Sequence, residues 1–391
     1  MKKIISSIVL TVLIATNSYG QDDVVPIFYD GHIHLKGSIK NVDGNFLFDT
    51  GALSLYFDST FYANKNLNYK NTVVAYIGGA GSSRQKAALI RDTVNFKFGK
   101  YSYTTPDVAI LQLKPILGDY ADGILGIDYF KQSVMEINYT DQYIKLHKKV
   151  NPENIADYKK IKMTKRDKKL FIPASVQIND KLTIKGEVLF DIGSGGSVYI
   201  TGATARRHNL DKQISQKVPY FTKYGGIGGE SSSYTFRTNS VQVGDYILDE
   251  VVMNYSEDKS GALSSDKYIG VLGNNILDRF DLIIDFVNND LYLKPNQNFA
   301  KPYNFSKLSF SYVDRSQTKN AWIVTGLYKN RNAQNAGLEI DDQIIEVNGV
   351  KIQDIEFEKQ VEFFRNIDEI DLTIIRNGET KKIQFTLSPI L

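Results

Sequence analysis

The chain has 391 residues, of which 42% are hydrophobic and 23% are charged, an ordinary composition for a globular protein. Its 47 basic and 44 acidic residues give a net charge of only +3, so the charge offers no reason to expect nucleic acid as a partner. The absence of cysteine excludes disulfides, a thiol nucleophile and cysteine-bound zinc.

The first twenty residues have the pattern of a secretory signal peptide. Lys2 and Lys3 precede the apolar run Ile4 to Ala15, and the small residues of Ser18-Tyr19-Gly20 suit cleavage before Gln21. An uncleaved anchor is the alternative, but a membrane-spanning helix needs about 20 apolar residues. We therefore expect export without stable membrane insertion. The lack of disulfides favours the periplasm or cell surface of a bacterium.

Two short patterns place an aspartate on a glycine turn directly after an apolar stretch. They read Phe48-Asp49-Thr50-Gly51-Ala52 and Phe190-Asp191-Ile192-Gly193-Ser194. Two acids presented by similar turns can face each other and share one proton, because like charges about 3 Å apart cannot both ionise. Such a pair suits peptide-bond hydrolysis by an activated water molecule. Two ordinary turn aspartates that cap helices are the alternative.

The two halves of the chain share further landmarks. Gly123-Ile124-Leu125-Gly126 follows the first acid turn, and Gly270-Val271-Leu272-Gly273 follows the second. Apolar residues recur seven, fourteen and twenty-three positions beyond Gly123 and Gly270. This repeat predicts two similar, mainly β domains in tandem. Hairpin turns are expected at Asp43-Gly44 and Asn179-Asp180, and short helices over 59–64 and 201–208.

A basic segment, Lys148 to Lys169, separates the halves with nine basic and three acidic residues. An anion-binding arm and a solvated linker or surface hairpin are both possible interpretations. The second is favoured, because no aromatic residues accompany the charge as in nucleic-acid sites. The predicted boundaries are a signal peptide over 1–20, a first lobe over 21–150, a basic linker over 151–169, a second lobe over 170–297 and a C-terminal domain over 305–391.

His32 and His34 alternate on one predicted strand and therefore share a face. A metal site would need further ligands, and the sequence offers no carboxylate cluster at suitable spacing. Exposed strand residues are the favoured interpretation, and no metal or cofactor is expected.

The duplicated acid turn with its later glycine segment resembles the pepsin and retropepsin superfamily of aspartic proteases, over roughly Pro26 to Pro295. The resemblance implies a bilobal β fold with Asp49 and Asp191 as the catalytic dyad. It also implies support of the dyad by Thr50, Gly51, Gly193 and Ser194. One departure is Ile192, because the family usually has Thr or Ser there, whose hydroxyl bonds to the opposite lobe. Ser194 could compensate by bonding the Asp191 carboxylate.

Retropepsins close over their substrate with glycine-rich hairpins called flaps. The segment Tyr224-Gly225-Gly226-Ile227-Gly228-Gly229 is similar to such a flap, and its counterpart in the first half is Tyr76-Ile77-Gly78-Gly79-Ala80-Gly81. Glycine lets a hairpin tip bend and lets backbone N–H groups reach a peptide. Tyr76 is the candidate for the tyrosine that pepsins carry on their flap. Simple turns are the alternative for both segments.

The residues after Pro295 follow a different pattern. Ala336-Gly337-Leu338 leads into an alternating strand that ends at Asn348-Gly349, and this resembles a PDZ domain of the bacterial protease type over about Ser306 to Leu391. A helix is expected over 357–364. PDZ domains bind peptide ends by adding a strand to a sheet edge. The usual carboxylate-binding loop is absent, and Leu308-Ser309-Phe310-Ser311 stands in its place.

Together these patterns predict an exported aspartic endopeptidase that cuts polypeptides, with a PDZ domain that binds substrate or partner, including a peptide C-terminus. Two alternatives stay open. One is a non-catalytic peptide-binding protein in which Ile192 has cost the dyad its activity. The other is an envelope scaffold in which the PDZ domain dominates.

Overall fold

A computed structural model describes residues 24–81, 83–105, 108–365 and 367–391 of the chain. The predicted signal peptide lies outside these residues. Within these ranges, no helix combines the length and the apolar character that crossing a membrane requires.

The first lobe is built mostly from β-strands. Its strands are β1 (Val24–Tyr29), β2 (Ile33–Ile39), β3 (Val42–Phe48), β4 (Leu55–Asp58), β5 (Thr72–Gly78), β6 (Arg84–Ile90), β7 (Val94–Phe98), β8 (Tyr101–Thr105), β9 (Val108–Leu111), β10 (Gly123–Leu125), β11 (Val134–Asn138) and β12 (Tyr143–His147). Its helices are α1 (Ser59–Asn64), α2 (Lys114–Leu117) and a 3₁₀ helix (Ile127–Tyr129). The helix expected over 59–64 is confirmed as α1, and Asp58 caps it by accepting bonds from the Thr60 and Phe61 N–H groups.

The hairpin turn predicted at Asp43-Gly44 is wrong. The chain turns two residues earlier, at Lys40 and Asn41, whose φ angles are 51° and 62°. Asp43 and Gly44 lie inside β3, paired with β2. The glycine is needed there for packing, because a Cβ on Gly44 would lie only 3.0 Å from the ring of Phe61.

The second lobe repeats this plan. Its strands are β13 (Lys159–Lys162), β14 (Thr164–Arg166), β15 (Lys169–Asn179), β16 (Leu182–Phe190), β17 (Val198–Ile200), β18 (Val218–Thr222), β19 (Ser231–Arg237), β20 (Ser240–Val243), β21 (Tyr246–Asp249), β22 (Val252–Ser256), β23 (Gly270–Leu272), β24 (Phe280–Asp285) and β25 (Asp290–Pro295). Its helices are α3 (Gly202–Arg207), α4 (Leu210–Gln213), α5 (Asn274–Leu277) and 3₁₀ helices over Pro152–Ile155 and Ala262–Ser264.

The basic segment between the lobes is more ordered than a linker. Its strand β13 pairs with β25, and Ile161 and Met163 are buried. The ammonium groups of Lys160 and Lys162 lie 2.7 and 3.0 Å from the carboxylate of Asp290. The positive charge of this segment is therefore partly neutralised within the fold.

The C-terminal domain has its own core around the buried Trp322. It contains β26 (Phe310–Arg315), α6 (Ser316–Lys319), β27 (Ala321–Tyr328), α7 (Asn332–Asn335), β28 (Gln343–Val347), β29 (Val350–Lys351), 3₁₀ helices over Ile352–Asp354 and Phe357–Lys359, α8 (Gln360–Phe363), β30 (Glu369–Arg376) and β31 (Glu379–Thr386). The predicted turn at Asn348-Gly349 is confirmed, with φ angles of 49° and 77°. The predicted helix begins as the 3₁₀ turn and continues as α8.

Two sheets connect these parts. The first has the order β13-β25-β24-β11-β12-β1-β2-β3-β10-β4-β9-β6-β5, with β7 beside β2 and β8 beside β7. The second has the order β21-β20-β15-β16-β23-β17-β22-β19-β18-β27-β28-β30-β31, with β14, β26 and β29 beside β15, β27 and β28. The first sheet therefore joins the two lobes, and the second joins the second lobe to the C-terminal domain.

The sheet between the lobes has approximate twofold symmetry. In the pairing of β11 with β24, Met135 lies opposite Ile284 and Ile137 lies opposite Leu282. Met135 and Leu282 occupy equivalent positions in the two sequence repeats, as do Ile137 and Ile284. The two pairs are thus copies of each other, and the same symmetry brings the two acid turns together.

Candidate active site

Each acid turn follows a strand that lies beside a short parallel strand. Phe48 of β3 pairs with Leu125 of β10, and Phe190 of β16 pairs with Leu272 of β23. Beyond the strand ends, the backbone N–H of Asp49 donates to Leu125 O and that of Asp191 donates to Leu272 O, both at 3.0 Å. The Gly-x-Leu-Gly segments therefore fix the backbones of the two acids.

The turns bring the side chains of Asp49 and Asp191 close together, because each carboxyl group lies beside the glycine of the opposite turn. A Cβ on Gly51 would lie 2.8 Å from Oδ2 of Asp191, and a Cβ on Gly193 would overlap the Asp49 carboxyl group. Only glycine lets each turn approach the opposite acid this closely.

The two carboxyl groups have different surroundings. Oδ1 of Asp49 accepts bonds from the N–H groups of Gly51 at 2.7 Å and Ala52 at 3.0 Å. Oδ1 of Asp191 accepts one such bond, from Gly193 at 2.9 Å. Burial away from water raises the pKa of the Asp191 carboxyl group well above its usual value. The interactions of this group with the Asp49 carboxyl group raise that pKa further. More N–H donors therefore point at the Asp49 carboxyl group, and the raised pKa favours the protonated form of Asp191.

The expected compensation by Ser194 does not occur. The Ser194 N–H donates to the backbone oxygen of Asp191 at 3.2 Å. Its hydroxyl makes no hydrogen bond to the Asp191 carboxylate in the described part of the chain. The second turn thus supports its acid with fewer donors than the first.

Thr50 clamps the two turns together from one side. Its hydroxyl donates to Phe190 O at 2.8 Å and accepts from the Ile192 N–H at 2.9 Å. Ile192 is fully buried, and it has no hydroxyl group that could make the equivalent hydrogen bonds to the first turn. The clamp that two threonines would form is therefore made by Thr50 alone.

Asn274 supplies a second cross-lobe connection that the sequence reasoning missed. Its side-chain amide donates to Ile192 O at 2.7 Å and to Gly31 O at 2.9 Å. Its Oδ1 accepts from the Tyr139 hydroxyl at 2.9 Å. The repeat places Ile127 at the equivalent position of the first lobe. A polar residue in the second repeat where the first has an apolar one is a pattern from which the sequence could have indicated a role for Asn274.

The two glycine-rich segments are hairpin tips that meet. The β5–β6 hairpin ends in the segment of Gly79, and the β18–β19 hairpin ends in the segment of Tyr224, Gly225 and Gly226. Across the junction, the Gly81 N–H donates to Ile227 O at 3.0 Å and the Ser83 N–H donates to Gly228 O at 2.9 Å. The two hairpins therefore form a roof with contributions from both lobes.

Tyr76 does not have the position expected for a flap tyrosine. Its side chain is 64% exposed and does not line the cavity beneath the flaps. The neighbouring Ile77 lines it, because successive residues of β5 face opposite sides, and Gly78 at the end of the strand also borders it. Tyr224 of the other hairpin also lines the cavity.

A cavity of about 790 Å³ lies between the acid pair and the flaps. Tyr56 and Tyr199 project into it from equivalent strands, β4 and β17. The sequence reasoning missed both, although they follow Asp49 and Asp191 by seven and eight residues. Much of the remaining wall is apolar, from Leu47, Ile77, Leu113, Ile116, Leu117, Leu189, Leu263 and Val271. The cavity therefore suits a chain with apolar side chains.

Asp30, His32 and His34 line another wall of the cavity. His34 is only 5% exposed, so the expectation of two exposed histidines is wrong for it. Its Nε2 lies 3.3 Å from Asp30 Oδ1, and the Asn45 amide lies 3.1 Å from its Nδ1. Desolvation of its ring by the surrounding residues lowers the pKa of His32. Among the residues that the structure describes, no group of three or more such side chains could hold a metal ion.

The C-terminal domain packs against both the second-lobe flap and the first lobe. Strand β18 of the flap pairs with β27, with Phe221 opposite Leu327. On the first lobe, the buried carboxylate of Asp119 lies 2.8 Å from Nε of Arg315 and accepts the Thr318 N–H at 2.8 Å. The domain therefore holds one flap and one lobe at the same time.

Two parts of the chain match known family models. Residues 35–129 match the aspartyl protease model, and residues 304–375 match the PDZ domain model. The chain thus contains an aspartyl protease-like domain and a C-terminal PDZ domain, which confirms both resemblances. The first range includes Asp49 and the Gly123 segment. A search of the curated proteins finds no match to the chain.

Proposed function

We propose that this protein is an exported aspartic endopeptidase in which Asp49 and Asp191 activate a water molecule. The observation that supports this most directly is that the two carboxyl groups, one from each lobe, lie beside the glycine of the opposite turn and line the same cavity. Two acids in contact hold one proton between them, so one can act as a base while the other acts as an acid.

The different surroundings of the two acids support different starting roles in this proposal. Asp49, whose carboxylate accepts two N–H bonds, carries the charge and takes a proton from water. The water oxygen then bonds to the carbonyl carbon of the scissile peptide bond. Asp191, whose pKa is raised, donates its proton to the carbonyl oxygen as negative charge develops there. The product of this step is a tetrahedral intermediate with two hydroxyl groups.

The second step reverses the proton positions. Asp49 now carries the proton taken from water and gives it to the peptide nitrogen. The carbon–nitrogen bond breaks, and Asp191 takes back the proton of one hydroxyl group. The products are a new carboxyl end and a new amino end, and the dyad returns to its initial state without a covalent intermediate.

The cavity supports an extended polypeptide as substrate. The roof is made of backbone from two glycine-rich hairpins, whose N–H and C=O groups can pair with a peptide backbone. The apolar walls beside Tyr56 and Tyr199 favour apolar side chains next to the scissile bond. Flap opening is required before a chain can reach the dyad, because the two tips are hydrogen-bonded to each other.

The test is cleavage of an unfolded polypeptide by the purified protein. Asp49→Asn and Asp191→Asn should each abolish cutting while the circular dichroism spectrum and melting temperature show a folded chain. Thr60→Ser changes a residue of α1 away from the cavity, and it serves as a control that should cut as the unmodified protein does. Equal cutting by Asp49→Asn and the unmodified protein would refute the mechanism.

A non-catalytic peptide-binding protein is a second candidate, and the buried Ile192 is the observation that favours it. The loss of one threonine could leave the dyad too loosely held for catalysis. A peptide analogue with a hydroxyl group in place of the scissile carbonyl separates the two proposals, because tight binding of such an analogue needs a working dyad. Binding no tighter than the parent peptide would favour the second candidate.

The PDZ domain is proposed to bind a substrate or partner peptide, including a free C-terminus, and the localisation is proposed to be the periplasm or cell surface. Export is supported by the sequence pattern of residues 1–20 alone. Fusing these residues to a reporter enzyme and measuring its export in a bacterium tests it. Deleting the residues after Pro295 tests an envelope-scaffold role, since loss of partner capture with intact cutting would argue against that role as the main function.

A further inference from the structure

The cavity above the dyad does not end at the two protease lobes. It continues along the PDZ domain, where Leu308, Tyr312, Phe357, Gln360, Val361 and Phe364 line it. Five of these six side chains are apolar or aromatic. The same continuous space is therefore bounded at one end by two carboxyl groups and at the other by a groove of the PDZ domain.

The groove has the features of a strand-binding site. In the described chain, β27 is the only strand that pairs with β26. The first lobe also contacts this strand at Asp314, whose backbone oxygen accepts the Asp119 N–H at 2.8 Å, so the edge open to a further strand lies before Asp314. That open edge faces the helical segment of Phe357 and α8, as shown by the Tyr312 hydroxyl, which donates to Gln360 Oε1 at 3.3 Å. Val361 on α8 faces this space with 61% of its surface exposed. An extended peptide added to β26 would cover it.

A line of side-chain contacts connects the groove to the dyad. The ring of Phe357 stacks on Tyr120 of the first lobe, with centroids 4.2 Å apart and planes 11° apart. It also lies 5.5 Å from the ring of His34. His34 contacts Asp30, and His32 beside them lies close enough to Asp49 for its pKa to respond to that charge.

The position of the groove relative to the dyad is fixed by two kinds of contact. The buried ion pair of Asp119 with Arg315 holds β26 against the first lobe. The pairing of β18 with β27 holds the same domain to the second-lobe flap. The groove and the two acids therefore keep one relative position.

We propose that the PDZ groove is an extension of the protease's substrate-binding cleft, and that it binds an apolar segment of the same extended polypeptide that the dyad cuts. Phe357, which stacks on Tyr120 of the first lobe, lines the space between the two parts, and Val361 contacts the bound segment. This inference relies on the proposed endopeptidase function. It makes the PDZ domain part of the specificity of cleavage rather than a separate tether.

The inference predicts that substrates long enough to fill both parts are cut better than short ones. Sites cut in an unfolded protein are first identified by mass spectrometry. One site is then made as a peptide of about 6 residues, which spans at most roughly 20 Å, and as one of about 14 residues with apolar flanks. The quantity measured is the ratio of kcat/KM for the long peptide to that for the short peptide.

In the full-length protein, Val361→Asp should lower this ratio about tenfold, because a charge replaces an apolar contact with the flank. Val350→Asp is the matched control, since Val350 is a 38% exposed valine of the same domain outside the cavity. The control should keep the original ratio. Phe357→Ala provides a second variant in the groove and should also lower the ratio.

An unchanged ratio in both groove variants would overturn the inference. An equal fall for the long and short peptides would also overturn it, because that result indicates damage to the protease rather than loss of a substrate contact. If the unmodified protein cuts neither peptide nor the unfolded protein, the endopeptidase proposal itself fails, and this inference fails with it.

Discussion

Replacing Thr50 with valine removes the hydroxyl that clamps the two acid turns together. Valine has nearly the same shape, so the change leaves no cavity. It does leave the carbonyl group of Phe190 and the N–H group of Ile192 without the partners that they have at 2.8 and 2.9 Å. Both groups are buried, and Ile192 has no side-chain group that could replace the lost bonds.

An unsatisfied buried donor or acceptor costs about 1–3 kcal/mol. Two such groups should therefore lower the free energy of unfolding of the paired lobes by about 2–6 kcal/mol. For domains of this size, 1 kcal/mol corresponds to roughly 2–4 °C in melting temperature, so Tm should fall by roughly 4–24 °C. Cutting should fall by about 100-fold, because small displacements of catalytic groups have effects of that order.

Thermal unfolding can be followed separately in the two parts of the molecule. Trp322, the one tryptophan of the sequence, is buried in the PDZ core, so its fluorescence reports that domain. Far-UV circular dichroism reports the whole chain, including the lobes. Thr50→Val should lower the dichroism transition more than the fluorescence transition.

Thr50→Ser is the matched control, because it keeps the hydroxyl and loses one methyl group, worth about 0.8 kcal/mol. The reasoning is refuted if Thr50→Val is as stable and as active as Thr50→Ser. The reverse change, Ile192→Thr, offers a hydroxyl at the equivalent place in the second turn. In the Thr50→Val background it should recover part of the lost activity.

Three further results are expected. Because the pKa of Asp191 is raised in the folded protein, the stability that this carboxyl group contributes is fully present below the ordinary aspartate pKa of about 3.9 and is lost as pH rises through its pKa in the folded protein. Urea unfolding at several pH values should show this dependence in the unmodified protein and not in Asp191→Asn. Gly193→Ala forces a Cβ into the Asp49 carboxyl group and should reduce cutting by about 100-fold or more, whereas wild-type rates would contradict the contact. Asp119→Asn breaks the buried ion pair with Arg315 and should weaken docking of the PDZ domain by about 3–5 kcal/mol, which is measured as faster proteolysis after Pro295. Loss of the exposed ion pair between Lys359 and Glu356 should leave the proteolysis rate unchanged.

The parts of the fold that follow from local chemistry were predictable from the sequence. Each acid turn combines an apolar strand with a glycine that must approach another group, and the repeat shows that both turns share one structural context. The Asn348-Gly349 turn of the PDZ domain was equally readable, because two successive positive φ angles favour those residues. The Asp43-Gly44 turn failed because that glycine serves packing against Phe61 instead of a turn.

The parts that the sequence did not reveal depend on contacts between distant segments. Tyr120 and Phe357 stack across 237 positions of the chain (357 − 120), and neither residue has a local pattern that indicates the other. The pairing of β18 with β27 likewise depends on how the PDZ domain docks. Asn274 is an intermediate case, because comparing it with Ile127 in the repeat exposes an unexplained polar residue.

The asymmetry of the two lobes gives the proposed dyad a physical reason to hold its proton on one side. A dyad with exact twofold symmetry would give both carboxyl groups the same donors, and the proton would have no reason to reside on one of them. Here the first turn supplies two N–H donors to Asp49, and the second supplies one to Asp191. The second turn has Ile192 where the first has Thr50, so it lacks that hydroxyl, and Asn274 links the Ile192 backbone to Gly31 of the first lobe without donating to the acid. The sequence change that weakens the second turn as a clamp is therefore consistent with Asp191 as the protonated partner, a state that needs fewer donors.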